Sequence, residues 1–150
     1  LIQNDPLSAK FLYFEQPMPK GAENYKHLSR NSYANWMADE DIQSIDDLEI
    51  LQPHYKTLNI KVMKCGGLTP SLSVIQKAKK MNFKIMIGCM TESTVGISAG
   101  IALASFADYL DLDGANLIAN DNFNGSKIVN GEVVLSEDAG LGISLLQSFF

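Results

Sequence analysis

The segment NIKVMKCGG, residues 59–67, places a lysine inside a short strand and then ends that strand with two glycines. Polar and apolar side chains alternate along Asn59–Met63, a pattern that predicts a β-strand. An unpaired charge in an apolar strand is costly, so Lys61 is expected to face outward from an edge strand, pair with a carboxylate or take part in chemistry. The Gly66-Gly67 pair permits a sharp backbone turn after the strand.

The composition is that of an ordinary globular domain. Of the 150 residues, 46% are hydrophobic and 19% are charged, and a chain of this length can bury a core. The net charge of −5 argues against a nucleic-acid partner, which needs a clustered basic face. The longest apolar run, Val95–Ala104, is shorter than the roughly 20 residues that span a bilayer, so we expect no membrane partner. Cys65 and Cys89 make no disulfide framework, which favours a cytoplasmic location.

Strand patterns recur along the chain, and helical patterns separate them. The predicted strands are Phe11–Phe14, Ala34–Ala38, Asn59–Met63, Lys84–Met90 and Tyr109–Gly114. The predicted helices are Ala22–Arg30, Ile42–Leu51, a helix with Thr69 as N-cap and Pro70 at its first position, a helix after Ser93, and a short helix over Leu141–Phe149. A hairpin is expected where Asn130-Gly131 joins two short apolar runs.

Alternating strands and helices require parallel strands with right-handed helical crossovers. The predicted fold class is therefore α/β, with strands that belong to a barrel. A complete eight-unit barrel takes about 250 residues, so we expect these five strands to be a piece of a longer chain, and a first residue other than Met agrees with this. The alternative is an open five-stranded sheet.

A polar residue lies at or just after the end of each predicted strand. These residues are Glu15, Asp39, Lys61, Cys89 and Asp111, separated by 24, 22, 28 and 22 positions. In a barrel, the loops after the strands build the active-site face. We therefore expect the acidic and basic members of this set to converge on one rim. Asp113 joins them, because residues two apart on a strand share a face with each other.

Two carboxylates and a lysine on one rim suit a divalent cation beside a base. Mg²⁺ prefers oxygen ligands, and on a substrate carboxylate it would spread the charge of an enediolate formed when the lysine removes the adjacent α-proton. The cation and partial burial should lower the pKa of Lys61. The alternative is that Glu15 and Asp39 cap helices or are merely solvated.

Five segments together resemble the enolase superfamily and, within it, the dipeptide epimerases. They are FEQP at 14–17, ADE at 38–40, NIKVMKCGG at 59–67, LDLD at 110–113 and GLGI at 140–143. The resemblance extends from about Phe11 to Ile143. It implies that residues 1–150 are part of one domain, the C-terminal part of a (β/α)7β TIM-like barrel.

The resemblance also implies roles for the rim residues. Glu15 and Asp39 would be two Mg²⁺ ligands, and Lys61 would be the acid/base on one face of the substrate. Asp111 and Asp113 look like the Asp-x-Asp pair that holds the α-ammonium group of a dipeptide. The implied enzyme is a magnesium-dependent isomerase, which moves a proton at the α-carbon of the dipeptide's C-terminal residue through an enediolate.

Cys89 and Glu92 border the same rim. The alternatives for these side chains are contact with substrate, packing and helix capping. The chain departs from the family pattern at Asp41, where the family often has Ser. It also lacks the family's first metal ligand, its Lys-x-Lys strand and its N-terminal capping domain, so the 150 residues alone are expected to be inactive. The alternatives are a cycloisomerase or dehydratase of the same superfamily and a non-catalytic half-barrel. An open barrel edge would favour a homo-oligomer.

Overall fold

The computed structural model describes residues 2–146, and a five-stranded sheet forms its centre. The strands, in spatial order, are β1 (Phe14–Glu15), β2 (Trp36–Ala38), β3 (Thr57–Lys61), β4 (Lys84–Gly88) and β5 (Tyr109–Asp111). Every neighbouring pair of strands runs parallel. The predicted α/β architecture with parallel strands is confirmed.

The sheet is curled into half a barrel. Adjacent strands lie about 4.8 Å apart, so β1 and β5 of a flat sheet would be roughly 19 Å apart. In the structure the ring of Tyr13, just before β1, meets the ring of Tyr109 in β5, with the two centroids 5.7 Å apart. The outer strands therefore face each other across a concave side.

Helices and turns connect the strands. The α-helices are α1 (Ala22–Tyr25), α2 (Leu48–Leu51), α3 (Leu68–Lys80) and α4 (Thr94–Ile101). Short 3-10 turns lie at Ile2–Asn4, Pro6–Lys10, Ile45–Asp47, Ala104–Phe106 and Gly114–Leu117. Within residues 2–146, none of the helices is both long and apolar enough to cross a bilayer.

The convex face of the sheet carries the core. Leu58 and Ile60 of β3 are fully buried and pair in register with Ile85 and Ile87 of β4, which are also fully buried. The apolar side of α3 belongs to the same buried cluster. Because alternate residues of a strand point to opposite faces, the polar residues between these positions point to the concave face.

β3 ends earlier than predicted, at Lys61 rather than at Met63. The chain turns immediately after the lysine, since the N–H of Cys65 donates to Lys61 O at 3.1 Å and that of Gly67 donates to Val62 O at 2.9 Å. Val62 and Met63, which have strand-type side chains, therefore lie in the turn that follows β3.

The N-cap of α3 lies two residues before the predicted one. The first residue of the helix is Leu68, and Gly67 rather than Thr69 is the N-cap residue, with a φ of +120° that favours glycine. Pro70 is tolerated in the first turn because the first N–H groups of a helix have no intrahelical acceptor.

Four short strands form antiparallel pairs near the end of the chain. They are β6 (Phe123–Asn124), β7 (Lys127–Val129), β8 (Glu132–Val134) and β9 (Ser144–Leu145). β7 and β8 form the predicted hairpin, and Asn130 and Gly131 between them have φ values of +52° and +80°. Positive φ at both central positions is typical of the two-residue turn that joins hairpin strands.

The helix predicted over Leu141–Phe149 is wrong for the described part of that segment. Ser144–Leu145 forms β9 and pairs with β6 instead. Gly142 has a φ of +67°, a left-handed conformation that an α-helix does not accommodate. Residues 147–149 of the predicted helix lie outside the described residues.

Candidate functional site

The carboxyl ends of the five parallel strands form one rim. Glu15 ends β1 and Asp39 follows β2, so both lie at the same end of the sheet as the end of β3. Lys61 pairs in register with Gly88, and Gly88 pairs with Asp111. Lys61 and Asp111 therefore lie two strand spacings apart on one row, with about 10 Å between their backbones.

Asp39 binds two ammonium groups on this rim. The residue is 6% exposed, and its Oδ2 accepts a hydrogen bond from Lys61 Nζ at 2.8 Å. Its Oδ1 accepts one from Lys64 Nζ, which also donates to the Asp39 carbonyl at 2.5 Å. Among the roles that the sequence predicts for Lys61, the structure shows pairing with a carboxylate.

These contacts set the charge states at the rim. Burial acts to raise the pKa of Asp39, but the hydrogen bonds and charges of Lys61 and Lys64 outweigh it and lower the pKa below its ordinary value. Burial likewise acts to lower the pKa of Lys61, and the hydrogen bond and charge of Asp39 reverse this, so that the pKa is raised. The expected lowering of the lysine pKa depends on a bound cation; with the carboxylate of Asp39 as its hydrogen-bond partner, Lys61 instead has a raised pKa.

Glu15 is exposed but held in place by Asn59. Asn59 Nδ2 donates to Glu15 Oε1 at 2.6 Å, and Asn59 itself is 1% exposed. Asn59 lies two residues before Lys61 on β3, so both point to the concave face. A Cβ at Gly88 would lie 2.2 Å from Asn59 Oδ1. The glycine in β4 therefore makes room for the amide that positions Glu15.

The donor set of the rim fits part of a magnesium site. Glu15 and Asp39 supply carboxylate oxygens, the ligands that Mg²⁺ prefers, and the two lysines bonded to Asp39 indicate a position that favours positive charge. Within residues 2–146, no group of three or more His, Cys, Asp or Glu side chains is close enough to hold a metal ion by itself. The remaining ligands of an octahedral ion would come from water, substrate or further protein segments.

Asp111 and Asp113 are both exposed, while Leu112 between them is 3% exposed. This alternation puts the two carboxylates on the same side of the chain. Both line a cavity of about 260 Å³, together with Asn116 and Asn130. Two carboxylates on one wall of a cavity suit a cationic group such as an ammonium.

Cys89 and Glu92 lie just beyond β4 and make local contacts. Burial is the main cause that raises the pKa of the Cys89 thiol, and the charges of Asp111 and Glu92 add to it, so the thiol keeps its proton and is a poor nucleophile. Glu92 Oε1 accepts a hydrogen bond from the N–H of Met90 at 2.9 Å. Contact of either side chain with a substrate stays a prediction.

Three residues of the site were given no role from the sequence. Asn59 carried a usable signal, since a polar residue two positions before Lys61 in an apolar strand must share its face. Lys64 carried no such signal, because its bonds to Asp39 depend on the turn after β3. Gln16 also bonds the site, and its Oε1 accepts a hydrogen bond from the N–H of Asp39 at 2.9 Å.

Comparison with known proteins gives a consistent result. Residues 6–148 match the family described as Enolase C-terminal domain-like. The L-Ala-D/L-amino acid epimerase of Flavobacterium johnsoniae is 42% identical over 146 residues, which are 97% of this chain and 43% of that protein. The L-Ala-D/L-Glu epimerase of Bacteroides thetaiotaomicron is 36% identical over 130 residues, which are 86% of this chain and 34% of that protein.

A solved structure shows the same arrangement of the backbone. The dipeptide epimerase from Methylococcus capsulatus, in complex with Mg and the dipeptide L-Arg-D-Lys, is 32% identical to this chain and superposes on it with a TM-score of 0.81. The match covers 89% of this chain and 40% of that one. The chain thus spans less than half the length of each of these three proteins.

Proposed function

The chain belongs to the Enolase C-terminal domain-like family, and we propose from this that it is the C-terminal barrel part of a magnesium-dependent dipeptide epimerase. The reaction is a 1,1-proton transfer at the α-carbon of the dipeptide's C-terminal residue. The observation that carries the proposal is the composition of the rim, where Lys61 Nζ lies 2.8 Å from Asp39 Oδ2 and on the same row as Asp111.

Glu15 and Asp39 would hold Mg²⁺ in this proposal. When bound, the ion stabilises the negative charge that develops on the substrate carboxylate. Asn59 orients Glu15 through its 2.6 Å hydrogen bond. An Asp39 carboxylate that held the ion would give up its hydrogen bond to at least one of Lys61 and Lys64.

Lys61 removes or returns the α-proton on one face of the substrate. An amine accepts a proton only in its neutral form, and the contact with Asp39 favours the ammonium form. If Asp39 held the ion, its carboxylate would no longer favour the ammonium form to the same extent, and the pKa of Lys61 would fall. Epimerisation also needs an acid/base on the opposite face, which we assign to a segment of the full-length protein outside this chain.

Asp111 and Asp113 bind the α-ammonium group of the dipeptide. Lys61 and Asp111 lie two strand spacings apart on one row of the concave face, so a substrate whose ammonium group is held by the two carboxylates lies on the same face of the sheet as the lysine.

Deuterium exchange tests the proposal. The full-length gene product is incubated in D₂O with Mg²⁺ and a panel of L-Ala-L-X dipeptides, and mass spectrometry and NMR follow deuterium at each α-carbon. We expect incorporation at the C-terminal residue together with inversion, and loss of both when EDTA removes the ion. Absence of exchange across the panel, in folded protein with Mg²⁺ present, would contradict the proposal.

A further inference from the structure

Gln16, the residue directly after Glu15, has an unusual backbone conformation. Its φ is +35°, in the left-handed region that residues other than glycine rarely adopt. Such conformations persist where surrounding contacts determine them, and they cluster at functional sites. At Gln16 the contacts come from its own side chain, which lies between the ends of β1 and β2.

The carboxamide of Gln16 joins the two candidate metal ligands. Its Oε1 accepts hydrogen bonds from the N–H groups of Asp39 at 2.9 Å and Asp41 at 3.4 Å. Its Nε2 donates to Met18 O at 3.0 Å and to Asp41 Oδ2 at 2.8 Å. We refer to the Gln16 side chain with these hydrogen bonds as the clamp. Glu15 is covalently next to the clamp and Asp39 is hydrogen-bonded to it, so Gln16 links the position of Glu15 to that of Asp39.

Asp41 anchors the clamp. The residue is 7% exposed, and a buried carboxylate is stable only where donors satisfy it. Besides Gln16, Tyr55 O–H donates to its Oδ2 at 2.9 Å, and the N–H of Gly21 donates to its Oδ1 at 2.9 Å.

Tyr55 holds Asp41 from the interior. It is fully buried two residues before β3, and its ring packs against that of Tyr25 with the centroids 5.8 Å apart. Burial and the hydrogen bond to Asp41 raise the pKa of the Tyr55 phenol, so its O–H remains a donor over the whole working range of pH. The position of the carboxylate is thereby tied to the packed core.

We propose that Gln16, Asp41 and Tyr55 form a positioning unit that fixes Glu15 relative to Asp39 and thereby sets the affinity of the rim for Mg²⁺. None of the three is a catalytic residue, because each acts through the two carboxylates. The inference rests on the proposed function, since it takes Glu15 and Asp39 as ligands of the ion.

Binding of Mn²⁺, used as a probe for the magnesium site, tests this unit directly. The free-ion signal in electron paramagnetic resonance gives the dissociation constant in the full-length gene product and its variants, without any turnover. We expect Gln16→Met to weaken binding by about 10–100-fold, as is typical for partners of metal ligands. Tyr55→Phe should weaken it by roughly 3–10-fold, the effect of one hydrogen bond on an equilibrium. Gln76→Met, an exposed change on α3, should leave it unaltered.

The double variant Gln16→Met/Tyr55→Phe separates a positioning role from general loss of stability. If both residues act through the same clamp, the double variant binds Mn²⁺ as weakly as Gln16→Met alone, whereas independent effects multiply. Multiplied effects, or wild-type affinity in a folded Gln16→Met protein, would overturn this inference and leave the proposed function standing. If Gln16→Met does not fold, Tyr55→Phe decides: weaker binding supports the unit and unchanged binding overturns it. A wild-type protein that binds no Mn²⁺ would overturn the proposed function itself and this inference with it.

Discussion

Asp39 is the residue on which the charge balance of the rim depends. Its carboxylate is 9% exposed, and it faces Lys61 and Lys64, whose side chains are 15% and 17% exposed. One negative charge thus lies between two positive charges in a partly buried place. Hydrogen bonds that involve charged groups contribute about 1.5–3 kcal/mol each to stability, so the loss of this carboxylate has a measurable effect.

We expect Asp39→Asn to lower the free energy of unfolding of the full-length protein by about 1.5–3 kcal/mol at pH 7 in EDTA. The pKa of Asp39 is lowered below its ordinary value of 3.8 in the folded state. The stabilisation is therefore complete above that ordinary value and is lost as the pH falls through the lowered pKa.

Urea denaturation of wild type and Asp39→Asn at a series of pH values measures this difference. The difference should be constant from pH 7 down to about pH 5 and should shrink in more acidic solution. A difference that persists unchanged to about pH 2 would show that the ionised carboxylate is not the source of the stabilisation.

Asp111 and Asp113 are the proposed binding site for the α-ammonium group of the substrate. We expect the double variant Asp111→Asn/Asp113→Asn to raise KM for a dipeptide by about 10–100-fold, because two charge-assisted hydrogen bonds to the α-ammonium group are weakened. An N-acetylated dipeptide carries no such charge, and its slower turnover should change little. The matched control is Asp46→Asn, an exposed carboxylate in the 3-10 turn before α2. Equal effects on the charged and the acetylated substrate would contradict the assignment.

The backbone of Gly88 in β4 lies against the side chain of Asn59 in β3. We expect Gly88→Ala to destabilise the full-length protein by about 1–3 kcal/mol, since a Cβ that lies 2.2 Å from Asn59 Oδ1 overpacks the site. The displaced amide also loses its bond to Glu15. Asn59→Ala removes the obstacle, so the double variant should be destabilised by less than the sum of the single variants. Strictly additive losses in urea denaturation would contradict this packing.

The central strands were predictable because their sequence pattern coincides with their burial. Ile85 and Ile87 are fully buried in β4, where an apolar run is expected for a parallel strand covered on both faces. α1 was predicted to reach Arg30 but ends at Tyr25. The N–H of Arg30 donates to Pro53 O at 3.0 Å, a tertiary contact that no local pattern reveals.

α2 is also shorter than its apolar periodicity indicated. The predicted helix began at Ile42, whereas the structure has a 3-10 turn at Ile45–Asp47 followed by Leu48–Leu51. Asp47 Oδ2 accepts a hydrogen bond from the N–H of Ser44 at 2.7 Å, which completes a capping box and begins the helical segment there. Local capping chemistry decided this boundary, and apolar spacing did not.

The rim was also predictable in part, because the sequence pattern locates the ends of the strands. The sequence positions of Asp39 and Lys61 at successive strand ends suffice to bring them together, since parallel strands end on the same side. The contacts of Lys64 with Asp39 and of Tyr55 with Asp41 join residues 25 and 14 positions apart. They depend on how the turns after the strands fold back, which residue type and periodicity do not encode.

The chain as a unit is a curled sheet with two open sides. Within residues 2–146, β1 pairs only with β2 and β5 only with β4. Leu12 beside β1 is 71% exposed and Leu110 in β5 is 41% exposed. Unpaired strand edges with apolar side chains favour association with other chains.

We expect the 150-residue polypeptide in isolation to self-associate and to catalyse no α-proton exchange, because it supplies two carboxylate ligands and one lysine of the proposed site. Sedimentation velocity measures the first property, and mass spectrometry of dipeptides in D₂O measures the second. A monodisperse monomer with exchange activity would show that the half-barrel suffices by itself.

The most direct test of the proposed role of the rim is α-proton exchange by Lys61→Ala in the full-length protein. Exchange in D₂O is measured separately for dipeptides with an L and with a D C-terminal residue, with Lys79→Ala, an exposed lysine on α3, as control. We expect exchange of one isomer to fall by about 10²–10⁴-fold, as for the loss of a general base, while exchange of the other isomer and the fold are retained. Unchanged exchange of both isomers by the folded variant would contradict the assignment of Lys61.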